Sequence, residues 1–347
     1  MKSTSEFTLS ARLAVASIAA VIVAAGITSR AIAAGDLVIR TVAVRNEDPA
    51  AAGKEAAAKL REAMGQTPLK AVIVSECFED RDNKAALLAA LSSSLPKEII
   101  FGAATYGSFT QKGCTDFDSV CLMGLGGEGI SVNAQLAREL GTAKLTVDKD
   151  KELIAERLHK AGASLANSLG RTDRDRLLLV LADAHSPKNQ FLMEGLQLVL
   201  GNSFPITGGC ANKNAGQTFV YFRGELHDDS AVAIMLSGDF RAALAGRQAN
   251  VNDLVISTAR DAAKEVLKSA SGEPVAVFAF NCAGRRSKLK KYEDELQAIQ
   301  DSLGKQTELF GCYCAGEMGP VDDPQQRAKA LCGGAGWHVM FTVITKN

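Results

Sequence analysis

LFGCYCAGEMGP, residues Leu309–Pro320, sets three glycines, two cysteines and one acid behind a short apolar run. Glycine lets a backbone turn tightly or lie close to another group. Two looser copies precede it, IFGAATYG at Ile100–Gly107 and ITGGCANK at Ile206–Lys213. Each copy follows a buried-looking run at similar spacing. Val72 precedes Gly102 by 30 residues, Val180 precedes Gly208 by 28, and Val277 precedes Gly311 by 34. Asp118-Ser119-Val120 and Asp229-Ser230-Ala231 then open the next apolar runs. The unit helix, strand, helix, glycine turn, strands therefore occurs three times.

Patterning outward from these turns fills in the unit. Lys70–Ser75, Leu177–Ala182 and Pro274–Phe280 are short β-branched or apolar runs, as in strands buried on both faces. Ala50–Met64, Asn83–Leu91, Asp150–Leu169, Gln190–Leu200, Asn252–Ser269 and Lys290–Leu303 read as helices. Thr41–Arg45, Val120–Leu125, Ser230–Leu236 and Gly336–Ile344 read as strands. A helix between two strands favours parallel pairing of those strands. Strands added after each turn favour antiparallel hairpins. The predicted class is α/β (mixed α+β), with mixed sheets covered by helices.

Composition narrows the function. Lys and Arg total 39 and Asp and Glu total 39, so formal net charge is zero, and aromatics make up 5%. No basic stripe with interleaved aromatics is present, so nucleic acid is not an expected partner. Residues 1–33 read as a signal peptide. Lys2 and Arg12 precede the apolar run Leu13–Ile27, and Ala31-Ile32-Ala33 forms a small-residue cleavage site. The run is short for a membrane span of about 20 residues. The expectation is an exported, periplasmic protein with no membrane segment after cleavage; left uncleaved, the segment is an N-terminal anchor.

Eight cysteines gain meaning from export. Cys114 with Cys121, and Cys312 with Cys332, are candidate disulfides in an oxidising compartment, and Cys282 with Cys314 is an alternative. Connectivity does not follow from sequence, and buried thiols lining strands remain the simplest reading. Metal and redox readings of Cys312-x-Cys314 lack a partner motif, and the metal expectation is none. No P-loop or nucleophile elbow occurs, and Gly124-x-Gly126-Gly127 does not match a dinucleotide fingerprint; no cofactor is expected.

Ligands of open α/β sheets sit at the carboxyl ends of the strands. There the sequence places Asp183, His185, Asn281 and Arg285, with Gly208, Asn212, Gly311, Tyr313 and Glu317 in the turns that follow. Asn281 donates and accepts, Arg285 suits a carboxylate, and Glu317 suits an amine or serves as a base. The enzyme alternative is a hydrolase or transferase using Cys314 or Glu317.

At FNCAGR (Phe280–Arg285) and FGCYCAGEMGP (Phe310–Pro320) the chain resembles the FIST family, with a looser match at FGAATYG (Phe101–Gly107). The resemblance implies an N-terminal domain over 38–245 and a C-terminal domain over 246–347. It also implies a sensory domain for a small ligand such as an amino acid. Family members are often fused to kinase or cyclase outputs. With an export signal and no such output read here, the expectation is an exported binding protein that addresses a separate signalling protein. Cleavage after Ala33 predicts Ala34 as the first residue of the mature chain. Amino-terminal sequencing of protein from the periplasmic fraction checks this, and a start at Met1 would refute it.

Overall fold

The computed structural model describes residues 37–346, so the predicted signal segment 1–33 lies outside the described residues. The chain runs through three successive units of the same design. The first holds β1 (Val38–Arg45), α1 (Pro49–Met64), β2 (Leu69–Glu76), α2 (Arg81–Ser92), β3 (Ile100–Ala104), β4 (Ser108–Thr110), β5 (Gly113–Thr115) and β6 (Ser119–Gly126). The second holds β7 (Ile130–Ala137), α3 (Val147–Ser168), β8 (Asp175–Ala182), α4 (Asn189–Leu200), β9 (Ile206–Cys210), β10 (Val220–Phe222), β11 (Glu225–His227) and β12 (Ala231–Gly238). The third holds β13 (Phe240–Gln248), α5 (Asn252–Ser269), β14 (Pro274–Cys282), the short α6 (Ala283–Arg286), α7 (Tyr292–Leu303), β15 (Glu308–Cys314), β16 (Glu317–Gly319), β17 (Gly333–Ala335) and β18 (His338–Lys346). Local chemistry starts the first helices. Asp48 accepts from the amides of Ala50 and Ala51 ahead of Pro49, and Asp80 accepts from that of Asn83.

Each unit builds one mixed sheet, in equivalent strand orders: β1-β6-β2-β3, β7-β12-β8-β9 and β13-β18-β14-β15. In each, only the two strands joined by the crossover helix are parallel: β2 with β3, β8 with β9, β14 with β15. A two-stranded hairpin from another unit then extends every sheet to six strands. Hairpin β4–β5 joins β15, β10–β11 joins β3, and β16–β17 joins β9. The exchange is cyclic, so every unit both gives and receives.

Alternation along the central strands makes the layers. Ile73, Leu179, Phe278 and Phe280 point into one core shared by all three sheets. Their neighbours point outward: Val72 and Val74 onto α1 and α2, Leu178 and Val180 onto α3 and α4, Val277 and Ala279 onto α5 and α7. Burial on both faces explains why these strands read as unbroken apolar runs. The predicted class, mixed sheets covered by helices, is the observed one. Among the described residues no helix is long and apolar enough to cross a membrane.

Two features escaped the sequence reading. Antiparallel hairpins were expected after each turn, but strand β13, the short strands of β4–β5, β10–β11 and β16–β17 and their exchange between units were not predicted, and the 245/246 division falls inside β13. The described residues belong to one compact unit.

The repeated glycine has a common structural meaning. Gly102, Gly208 and Gly311 hold the same register position, opposite Val74, Val180 and Ala279 in the parallel pair. On their other side each meets a bulky residue of the received hairpin: Tyr221, Met318 and Phe109. A Cβ on Gly311 would overlap the Phe109 ring. Gly311→Ala is expected to cost about 1–3 kcal/mol through overpacking. Adding Phe109→Ala should then cost less than it does in the parent chain. Urea denaturation of the four proteins checks this; additivity within about 0.5 kcal/mol would show that the pair is not in contact.

Candidate functional site

The three glycine turns meet at the carboxyl ends of the parallel strands and are stitched into a ring by backbone hydrogen bonds. Tyr106 N donates to Tyr313 O (2.8 Å) and Tyr313 N to Gly107 O (3.0 Å). Ala315 N donates to Cys210 O (3.0 Å), Cys210 N to Gly316 O (2.8 Å), and Asn212 N to Ala104 O (2.8 Å). The residues just before β6, β12 and β18, Asp118, Asp229 and Trp337, all take positive φ beside this ring. Asp tolerates that conformation, whereas for a bulky Trp it is an outlier. Trp337 is part exposed, stands over Gly284, and has the Lys288 Nζ 5.6 Å from its ring.

Beneath the ring, a buried polar residue of each receiving unit latches the hairpin it receives. Asn189 Nδ2 donates to the carbonyls of Glu317 (3.0 Å) and Ala335 (2.9 Å), fastening β16 and β17 to α4. Tyr221 donates its hydroxyl to Glu76, which also pairs with the fully buried Lys84. Arg286 bonds Tyr106 O and Asp116 across the β4–β5 hairpin, its Cζ 4.8, 4.2 and 5.3 Å from the rings of Tyr106, Tyr292 and Tyr313.

Several residues expected to touch a ligand serve this interior instead. Asn281 and Arg285 have no exposed surface. Arg285 Nη2 pairs with Glu295 Oε1 (2.9 Å) and donates to Val255 O (2.8 Å), and its Nε donates to Asn281 Oδ1 (2.9 Å). Asn281 Nδ2 and the Tyr313 hydroxyl both donate to Glu295 Oε2, at 2.9 and 3.1 Å. The guanidinium fork is filled by Glu295, which the sequence reading passed over as an ordinary helix residue. Gly208 and Gly311 likewise give their space to Val180 and Phe109. The ligand role expected of these five is corrected to an internal one.

Glu317 is also fully buried, but differently placed. Its Oε2 accepts from His338 N (3.0 Å), while Oε1 has no hydrogen-bond partner among the described residues. Burial pushes its carboxyl up to about 8, outweighing that amide bond. Cysteines surround it. The Cys312 and Cys314 sulfurs lie 3.6 Å apart on the inner face of β15, and Cys210 and Cys282 are close enough to feel the Glu317 charge.

All eight cysteines are free thiols, which corrects the disulfide expectations. The reason is layering: Cys121 and Cys312 face the shared core, whereas Cys114 and Cys332 pack in separate helix layers. Hydrogen bonding with Cys312, then burial, holds the Cys314 thiol well above its ordinary value. A protonated, enclosed thiol is a poor nucleophile. Among the described residues no group of three or more His, Cys, Asp and Glu is arranged to hold a metal ion.

The expected residues that do reach the surface are Asp183, His185 and Asn212, at the ends of β8 and β9. Asp183 Oδ2 is occupied by the Thr218 hydroxyl (2.7 Å) and by Asp229 N (3.2 Å). Among the described residues its Oδ1 has only His185 Nε2, 4.0 Å away. That Nε2 lies 2.8 Å from Ala211 O. A carbonyl only accepts, so Nε2 carries the hydrogen and Nδ1 is an acceptor; among the described residues Nδ1 has no partner. Burial holds His185 below the usual histidine value, so the ring is neutral near pH 7, and the charges of Lys188 and Lys213 reinforce this. Asn212 donates to Asn214 Oδ1 (3.0 Å). Surface cavities of about 450, 720 and 270 Å³ lie elsewhere, none lined by an expected ligand residue.

Two family models match the chain: the FIST N domain over residues 70–250 and the FIST C domain over 220–320. No curated protein matches it by sequence. Among solved structures, a cyanuric acid hydrolase aligns with 90% of this chain and 100% of its own, at 12% identity and a TM-score of 0.44. Cyanuric acid hydrolase from A. caulinodans aligns with 90% of this chain and 99% of its own, at 11% identity and 0.43. PurLQS from Thermotoga maritima aligns with 90% and 72%, at 8% and 0.26. Likeness at this level says nothing about activity.

The Glu317 carboxyl makes a signed prediction. Its folded value lies above its unfolded one, so between the ordinary carboxylate range and about pH 8 the folded state holds a proton that the unfolded state has lost. This group therefore lowers stability progressively as pH rises through that window, and the loss is complete above it. Urea midpoints from pH 5 to 8 should fall more steeply for the parent chain than for Glu317→Gln. Parallel slopes would refute a protonated Glu317.

Proposed function

The chain belongs to the FIST family, and from that premise we propose that it is an exported sensory or binding protein that takes a small zwitterion such as an amino acid on the ring face. The carrying observation is the pair of unused acceptors at the rim, Asp183 Oδ1 and His185 Nδ1. Two acceptors without donors suit an ammonium group. Lys188 and Lys213, both near enough to His185 to lower its proton affinity, supply positive charge for a carboxylate. Asn212 adds an amide at the same end of the sheets. The interior networks around Glu295, Glu76 and Asn189 hold the turns rigid, which lowers the ordering cost of binding. Ligand occupancy at the ring would be passed to a separate signalling protein.

Binding rather than catalysis fits the enclosed, protonated state of Cys314. A thermal-shift screen of the standard amino acids and small carboxylates should find a ligand that raises Tm, with calorimetry giving one site per chain. Asp183→Asn and His185→Ala should each weaken that ligand by about tenfold, the scale of one hydrogen bond to a charged group, whereas Cys314→Ser should leave it unchanged. Undiminished affinity in both rim variants would overturn the assignment.

A further inference from the structure

A second cleft lies at the opposite end of the second sheet, where the parallel strands begin. Its volume is about 450 Å³, within the range of small-molecule sites. The ends of α4 and α5, the loop entering β9, and β13 close around it. Leu200, Phe204 and Ala242 give it apolar walls, and Ser203, Ser269 and Ser271 give it hydroxyls.

Two arginines line this cleft, Arg176 and Arg241. Arg176 Nη1 donates to the carbonyls of Asp173 (2.7 Å) and Asp175 (3.0 Å), and Arg241 Nη1 donates to Ser271 Oγ (3.0 Å). Among the described residues neither guanidinium has a carboxylate within 4.0 Å. The nearby arginines differ: Arg171 pairs with Asp175, Arg174 with Asp239, and Arg247 with Glu265. Asp175 is the one acid in the lining, and both its oxygens are already taken. It accepts from Arg171 Nε (3.0 Å), Thr172 N (3.0 Å), Thr172 Oγ1 (2.8 Å) and Ser237 Oγ (2.7 Å). The 720 Å³ cavity makes an internal contrast, since Arg61 there shares the lining with Glu62.

We propose that this cleft is a binding site for a small organic anion, in which Arg176 and Arg241 receive a carboxylate or phosphate and the Leu200–Phe204 wall receives an apolar body. Planar guanidinium forks match either anionic group. The site is separate from the ring face and shares no residue with it.

Calorimetry with phenylacetate, phenyl phosphate and benzyl alcohol tests the proposal on the full-length chain. Saturable one-to-one binding of at least one anion is expected, with none for the neutral alcohol. Phenylacetate alone would identify the carboxylate, and phenyl phosphate alone the phosphate, as the recognised group. The Arg176→Gln, Arg241→Gln double variant should bind about tenfold more weakly at unchanged Tm, and His185→Ala should bind as the parent does. No saturation of either anion by about 5 mM overturns the proposal. So does loss of binding in His185→Ala with none in the arginine variant, which would move the anion to the ring face.

Discussion

Everything in this molecule depends on a side chain that is missing at one register position. Gly102, Gly208 and Gly311 each lie between a neighbouring strand of their own sheet and a bulky residue supplied by another unit. At Gly311 the missing Cβ makes room for the Phe109 ring, and at Gly102 and Gly208 it lets the strand lie close against Val74 and Val180; Tyr221, Phe109 and Met318 reach the helix layer beyond. The docked hairpins cover β3, β9 and β15, which would otherwise be open edges of the kind proteins avoid. The glycine turns and the ring of backbone hydrogen bonds follow from the same docking.

Polar groups reinforce this arrangement where apolar packing alone lacks direction. Arg286, Glu76 and Asn189 latch hairpins, and Glu295 gathers Asn281, Arg285 and Tyr313. Buried pairs of this kind add little net stability, but they are costly to leave half made. Their yield here is position. The loops that carry Asp183, His185 and Asn212 rest on a hydrogen-bonded floor, with Glu317 Oε1, Asn189 Oδ1 and Arg286 Nε unpartnered among the described residues.

The layers and the triple repeat were legible because each expresses a rule that a single residue type can carry. Strands buried on both faces must be apolar throughout, as Leu177–Ala182 is, and close backbone approach demands glycine. The hairpins were illegible for the opposite reason. A three-residue strand such as Ser108–Thr110 has no periodicity to read, and its partner at Gly311–Cys312 lies far along the chain. The site was legible in part. A polar residue at the end of a buried strand announces that something polar meets it, but not whether that is a ligand or a helix. At Asn281 and Arg285 the answer was Glu295 of α7; at Asp183 and His185 two acceptor atoms have no donor among the described residues.

The cyclic exchange also fixes a timetable for synthesis. The first sheet needs β10–β11 and cannot be completed before residue 227 exists. The second waits for β17, which ends at Ala335. The third waits for β18, which ends at Lys346, although its borrowed hairpin β4–β5 was made near the start. A growing chain thus carries unfinished sheets until β17 and β18 are made. Closure joins segments far apart in sequence, a topology that folds slowly because loop entropy is lost before contacts repay it.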